Sequence, residues 1–265
     1  VRMNLEGKVV LLTGATSGIG YKTAKSLALQ KAHLILIGRK EEDLKRIQKE
    51  LSGKASSVAY LTADLSHLDG LTDLVEKALT IHGHIDVLIN NAGIISFKYI
   101  ENESLEDIEL LYRTNVLAPI RLTTLLVPHL KARDEAQVVN IGSIFGSISY
   151  AYFSVYSSSK FAIRGFSEAL RRELQDTSIQ VLYVAPRATR TKLASLFGKM
   201  AEKTNMKLDP PDLVAQKIIS SMIKEKKDSY LGFPECFFVR LNSIFPRLVD
   251  NALKKDNKIM SNFAE

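Results

Sequence analysis

Short apolar runs alternate along this chain with stretches whose apolar residues recur every three or four positions. Lys8–Thr13 (KVVLLT), His33–Ile37 (HLILI), Val58–Thr62 (VAYLT), Asp86–Asn90 (DVLIN), Gln137–Ile141 (QVVNI) and Ile179–Val184 (IQVLYV) read as strands, with a short last one at Tyr230–Leu231. Helical patterning fills about 18–30, 41–51, 68–81, 105–131, 154–176 and 211–224. Leu68, Leu71, Leu74, Val75 and Ala78 share one helical face. The long stretch 105–131 is expected to break near Pro119 and Pro128, because proline lacks an N–H and clashes with the preceding turn. The strands are apolar throughout rather than alternating, as strands buried on both faces are. Helices on each side of a parallel sheet, joined by right-handed crossovers, then give an α/β fold. The expectation is a single domain with a doubly wound parallel sheet of about seven strands.

Composition adds exclusions. With 46% apolar and 25% charged residues in 265, the chain is an ordinary globular one. The one cysteine, Cys236, excludes a disulfide framework, a CxxC redox pair and a thiolate zinc site, and no metal site is expected. No apolar run approaches the ~18 residues of a membrane span. Val1–Glu6 does not read as a signal peptide, so a reducing, cytoplasmic setting is expected. The net charge of +7 is uneven: +6 over residues 1–60, −2 over 61–198 and +3 over 199–265. An anionic cofactor, a membrane surface or plain solvated helix faces are compatible with that. No basic stripe interleaved with aromatics is present, so nucleic-acid binding is not expected.

The chemistry starts where the first strand meets the first helix. Thr13-Gly14-Ala15-Thr16-Ser17-Gly18-Ile19-Gly20 has G-x3-G-x-G spacing between a strand and a helix. Glycine lets the backbone turn tightly and approach a pyrophosphate, and the helix N-terminus offers free N–H groups. Gly14, Thr16, Ser17, Gly18, Ile19 and Gly20 are thus expected to hold a dinucleotide, which makes the sheet Rossmann-type. The second strand ends in Gly38-Arg39-Lys40, with no carboxylate before Glu41 to hold a ribose hydroxyl. A guanidinium there pairs with a 2′-phosphate, so Arg39 and Lys40 point to NADP(H).

A Tyr-x-x-x-Lys pair puts an ammonium one helical turn from a phenol, and occurs at Tyr21/Lys25 and Tyr156/Lys160. Tyr21/Lys25 lies on the helix leaving the glycine turn and reads as a surface pair. Tyr156/Lys160 follows Ser143, which stands just past the fifth strand, on the side where open α/β sheets bind ligands. A cation beside a phenol is expected to lower its pKa into an acid/base range.

With these motifs in order, the chain resembles the short-chain dehydrogenases/reductases over about residues 5–232. Thr13–Gly20, Asp64-Leu65, Asn90-Asn91-Ala92-Gly93, Asn115, Ser143, Tyr156/Lys160 and Pro186 with Thr191 carry the resemblance. It implies that Tyr156 is the general acid/base and that Lys160 lowers its pKa and holds the nicotinamide ribose. It further implies that Ser143 positions the substrate oxygen and Asn115 a relay water. Asp64 and Leu65 would contact the adenine, and Asn91, Ala92 and Gly93 would line the cofactor. Asn90 would tie strands together, and Pro186, Thr189 and Thr191 would flank the nicotinamide. The implied activity is NADPH-dependent reduction of a ketone or aldehyde. The alternatives are an alcohol or hydroxysteroid-type dehydrogenase working oxidatively, or a cofactor-sensing regulator, which the intact Ser143, Tyr156 and Lys160 argue against. A homodimer or homotetramer is implied as well.

Two departures stand out. Arg187 follows Pro186 where the family usually has glycine, and either points to solvent or reaches into the cleft toward an acidic substrate group. Residues 233–265 form an extension beyond a catalytic unit at 1–232. Its apolar stripe, broken by Pro246, predicts two helices that pack on the body or a subunit neighbour or meet a membrane surface. Phe145, Tyr150, Phe153 and Leu196 are expected to wall a hydrophobic pocket, with Met200 beside them.

Overall fold

A computed structural model describes residues 3–191, 198–204 and 206–264. The strands are β1 (Val9–Thr13), β2 (His33–Gly38), β3 (Ser57–Thr62), β4 (Val87–Asn90), β5 (Ala136–Ile141), β6 (Ile179–Pro186) and β7 (Asp228–Leu231). All pair in parallel in the order β3-β2-β1-β4-β5-β6-β7. The order reverses between β1 and β4, and the parting loops open a crevice at the carboxyl ends of those strands.

The helices lie in two layers. α1 (Gly18–Leu29), α2 (Glu41–Leu51) and α8 (Pro211–Ile223) bury Leu27, Leu44, Ile47 and Ile218 against one face. α3 (Leu71–His82), α5 (Ala118–Lys131) and α6 (Ser154–Glu173) bury Leu74, Leu122, Leu126 and Leu170 against the other. Five strand residues of β1 are buried without alternation, because each of its faces meets a helix layer. Tyr21 and Lys25 both engage Glu50, at 2.7 and 3.0 Å, so that pair ties α1 to α2. Among the described residues no helix is long and apolar enough to cross a membrane.

The helix over 105–131 breaks in a different place from the one its prolines suggest. α4 (Leu105–Tyr112) passes into a π-helical turn at Arg113–Leu117 and then into α5. Pro119 sits in the first turn of α5, where a missing N–H leaves no bond unmade. Pro128 is accommodated inside the helix. The irregularity instead centres on Asn115, as π turns often do at functional positions.

The extension forms α9 (Glu235–Ile244) and α10 (Pro246–Met260), with proline opening the second as expected. Val239 and Val249 are buried with Ile144, Ile148 and Tyr183 of the body. α7 (Gly198–Lys203) lies between β6 and α8.

Candidate active site

The glycine turn and the loop after β4 form one hydrogen-bonded unit. Thr13 Oγ1 donates to Ile89 O (3.2 Å) and accepts from the backbone N–H groups of Asn91 and Ala92 (2.9 and 3.0 Å). Asn91 Nδ2 donates to Thr13 O and Gly14 O (3.0 and 3.1 Å). Gly14 has φ +64°, and a Cβ there would lie 2.8 Å from Ala92 Cα. A Cβ on Gly20 would lie 2.1 Å from Gly14 O. Ser17 makes no side-chain cap on α1, so the first N–H groups remain free to meet an anion. Thr16 packs against Gly38 at the end of β2, and Ile19 faces the cleft. A cradle this close-set fits a dinucleotide pyrophosphate.

Arg39 and Lys40 are exposed past the end of β2 and form no ion pair among the described residues. Asp64, at the end of neighbouring β3, accepts from Ser66 N and Oγ (3.0 and 2.8 Å). Burial pushes its carboxyl up, but the Ser66 bonds, with His67 and Arg39 nearby, hold it below the usual carboxylate range. The Leu65 side chain is buried in the core against α3, which leaves only its backbone to meet an adenine.

The reactive groups gather at the carboxyl end of β5. Lys160, 5% exposed, donates to Ile141 O at 3.2 Å and sits 5.7 Å over the Tyr156 ring. Asn115 Oδ1 accepts from Ile94 N (2.8 Å), while its Nδ2 donates to Ile94 O (2.8 Å) and Ser159 Oγ (3.2 Å). A Cβ on Gly93 would lie 3.2 Å from Asn115 Oδ1 and 3.6 Å from Lys160 Nζ, so glycine opens the space in front of both. Asn90 donates to Asn140 Oδ1 at 2.9 Å and joins β4 to β5. Ser143 Oγ accepts from Phe145 N (3.1 Å). Tyr183, fully buried on β6, donates to Ser143 O at 3.2 Å and fixes that loop. Composition and spacing gave no sign of that role for Tyr183.

The protonation states depart from the sequence expectation. Burial pushes the Tyr156 phenol up to about 12, with a hydrogen bond from Ser143 pulling the other way. Burial lowers Lys160 to about 8. Desolvation therefore outweighs any help from the lysine, which is itself driven toward neutrality. In this state Tyr156 is a proton donor at neutral pH, and Lys160 is a cation that gives up its charge readily.

Phe145, Phe153, Ile95, Met200, Met206 and Leu208 line a cleft of about 150 Å³ with Ser143 and Tyr156 on its wall. Phe145 meets the Tyr156 ring edge-on at 5.9 Å. Pro186, Thr189 and Thr191 line the same cleft. Thr189 Oγ1 donates to Arg187 O at 3.0 Å, and Thr191 lies against Gly18 over the glycine turn. Ile95, Met206 and Leu208 were not singled out by sequence, because each lies in a loop with no periodicity to read.

Two substrate expectations change, and a third falls outside the described residues. Tyr150 stacks behind Phe145, at 4.7 Å between centroids, and lines a different cavity beneath the extension. Arg187 borders the cleft but neither points to solvent nor waits for a substrate anion. Its two terminal nitrogens donate to Asp209 (2.6 Å), Glu235 (3.0 Å) and Phe233 O (3.2 Å), so both are engaged within the chain, while Nε is buried without a hydrogen-bond partner among the described residues. Leu196, with Leu193 and Phe197, lies outside the described residues.

Comparison with known proteins places this geometry. The family model described as short chain dehydrogenase matches residues 8–202. The chain is 33% identical to the dehydrogenase/reductase SDR family member 7B of Bos taurus over 277 aligned positions, covering 97% of this chain and 85% of that one. It is 37% identical to an NADP-dependent 3-hydroxy acid dehydrogenase of Schizosaccharomyces pombe over 193 positions, 72% of this chain and 74% of that one. The solved structure of a short-chain dehydrogenase from Streptomyces avermitilis overlays with a TM-score of 0.80 at 27% identity, covering 97% and 99% of the two chains. The glycine turn, the Asn91 brace and the Tyr156/Lys160 helix all fall within the matched span, and the chain belongs to the short-chain dehydrogenase family, whose members are oxidoreductases that use a nicotinamide cofactor.

Proposed function

We propose that the chain is an NADPH-dependent carbonyl reductase acting on an apolar ketone or aldehyde. The observation that carries this reading is the convergence of Ser143 and Tyr156 on a cleft walled by Phe145, Phe153 and Met206, beside the glycine turn, with Lys160 buried 5.7 Å from the Tyr156 ring. The nicotinamide, when bound, supplies the hydride. Tyr156 Oη, protonated at neutral pH, donates the proton to the developing alkoxide. Ser143 orients the same oxygen, and Lys160 holds the ribose side of the site and replenishes the phenolic proton. Asn115 acts by pinning Ile94, and with it the floor in front of Lys160.

Arg39, free of ion pairs among the described residues and without a neighbouring carboxylate on β2, supports a 2′-phosphate. An NADP-dependent relative agrees with that preference. The mostly apolar lining supports a hydrophobic substrate. Exposed Leu110, Leu117 and Phe161, on the elements over 105–131 and 154–173, support self-association through that face.

The test is NADPH consumption, followed by absorbance, against a panel of apolar ketones and aldehydes. Wild type should turn over some of them, and Tyr156→Phe should retain NADPH binding while losing about 10²–10⁴-fold in kcat. Silence of the wild type across the panel, or a Tyr156→Phe variant within about tenfold of it, would overturn the proposal.

A further inference from the structure

Outside the cleft, the corner between α9 and α10 gathers several exposed large apolar side chains. Phe237 and Ile244 are exposed on α9 at 57% and 69%, with exposed Arg240 between them at helical spacing. Phe245 and Leu248 follow at the corner, 54% and 58% exposed, with Leu248 at the border of the cavity beneath the extension. The inner side of the same two helices is already used, since Val239, Val249 and Met260 are buried. The outer side of α10 then carries Arg247, Lys254 and Lys258 in a row at i, i+7 and i+11, with Lys255 beside them, all exposed.

Charge sums hide this arrangement. After Gly232 the sequence has five basic and four acidic residues. Glu235 is taken by Arg187, and Asp256 lines the cavity beneath the extension. Among the described residues of the extension only Asp250 is an exposed acid, against five exposed cations, none of them in an ion pair. Exposed aromatic and aliphatic side chains set among unpaired cations match a bilayer interface, where the apolar groups enter the acyl boundary and the cations meet anionic headgroups. A two-fold contact with a second copy would instead bring the same cations face to face.

We propose that the α9–α10 corner docks the protein on an anionic membrane surface through Phe237, Ile244, Phe245 and Leu248, with Arg240 and Arg247 holding the headgroups. This surface is separate from the cleft, and the proposal stands whatever the substrate.

The experiment is co-sedimentation of the full chain with vesicles of phosphatidylcholine alone and of phosphatidylcholine mixed with phosphatidylglycerol. Binding should appear on the mixed vesicles, remain weak on the neutral ones, and fall as salt is added. Arg240→Glu/Arg247→Glu should lower the partition coefficient at least about tenfold, and Phe245→Ser/Leu248→Ser should do the same, with thermal unfolding unchanged in both. Equal binding to both vesicles, or none to the mixed ones, overturns the proposal from the wild type alone. So does a dimer by light scattering that Phe245→Ser/Leu248→Ser dissolves without any effect on lipid binding.

Discussion

On the β1–β4 side of the cleft, polar side chains grip backbone. Thr13 and Asn91 bind the glycine turn, and Asn115 holds both the N–H and the carbonyl of Ile94. On the side after β6, charged side chains are added to the backbone contacts, Arg187 pairing with Asp209 and Glu235, and the remaining wall is Met200, Met206 and Leu208. A backbone bond fixes a shape whatever the neighbouring side chains are. Methionines and an ion-pair clamp give a wall whose outline depends on which side chains are present. The first side suits a cofactor common to a family, and the second suits a substrate that differs from member to member.

The sharpest way to break this contrast is to remove the clamp. Arg187→Met leaves Asp209, 3% exposed, as an unpaired buried carboxylate, and should cost about 3 kcal/mol, read as a fall in Tm. Adding Asp209→Asn should recover part of the loss. A single variant as stable as wild type would show that the ion pairs contribute nothing to this wall.

Next in size is the pH behaviour of Lys160. Its pKa falls from 10.5 in the open chain to about 8 when buried, so the unfolded state binds more protons between those values. Stability should therefore rise with pH across about 8 to 10.5. At pH 7 the buried cation costs about 3 kcal/mol, which Lys160→Met removes, less the lost bond to Ile141 O. The variant should thus be the more stable at pH 7, and its advantage should vanish above pH 10.5. Parallel stability curves for the two proteins would count against a buried charge.

Gly20→Ala tests the rigid side. Its Cβ meets the Gly14 carbonyl, which is backbone, as well as the Asn91 side chain that braces the turn, so about 1–3 kcal/mol of stability and at least tenfold in NADPH affinity should be lost. An alanine tolerated there would mean that the turn yields, and the contrast would weaken. The smallest effect is expected of Arg39→Ala, about tenfold in KM for NADPH and little for NADH. Equal effects on both cofactors would reassign Arg39 to the surface.

The sheet was legible in sequence because a strand buried on both faces has no polar position to confuse its reading. The glycine turn and the Tyr156 helix were legible for another reason: each is a local spacing. What escaped was long-range or irregular. Arg187 finds Asp209 and Glu235, 22 and 48 residues away, and nothing in local sequence pairs them. The break in the helix over 105–131 follows Asn115's grip on Ile94, 21 residues away, rather than either proline. Tyr150 and Phe153 looked equivalent along the chain, yet one lies behind Phe145 and the other in the cleft. The phenol pKa was misjudged because spacing reveals a nearby cation but not the water both groups have lost.

Gly232 has φ +112°, and a Cβ there would lie 2.6 Å from Arg187 Cδ. The stem of Arg187 thus occupies the room that Gly232 leaves free, while its head binds the first residue of α9. The two positions form one packed unit. A variant with glycine at residue 187 unmoors the extension, and one that puts a side chain at 232 collides with the arginine. Shedding the extension would release both positions to drift, so its presence in a relative should be readable from residues 187 and 232 alone.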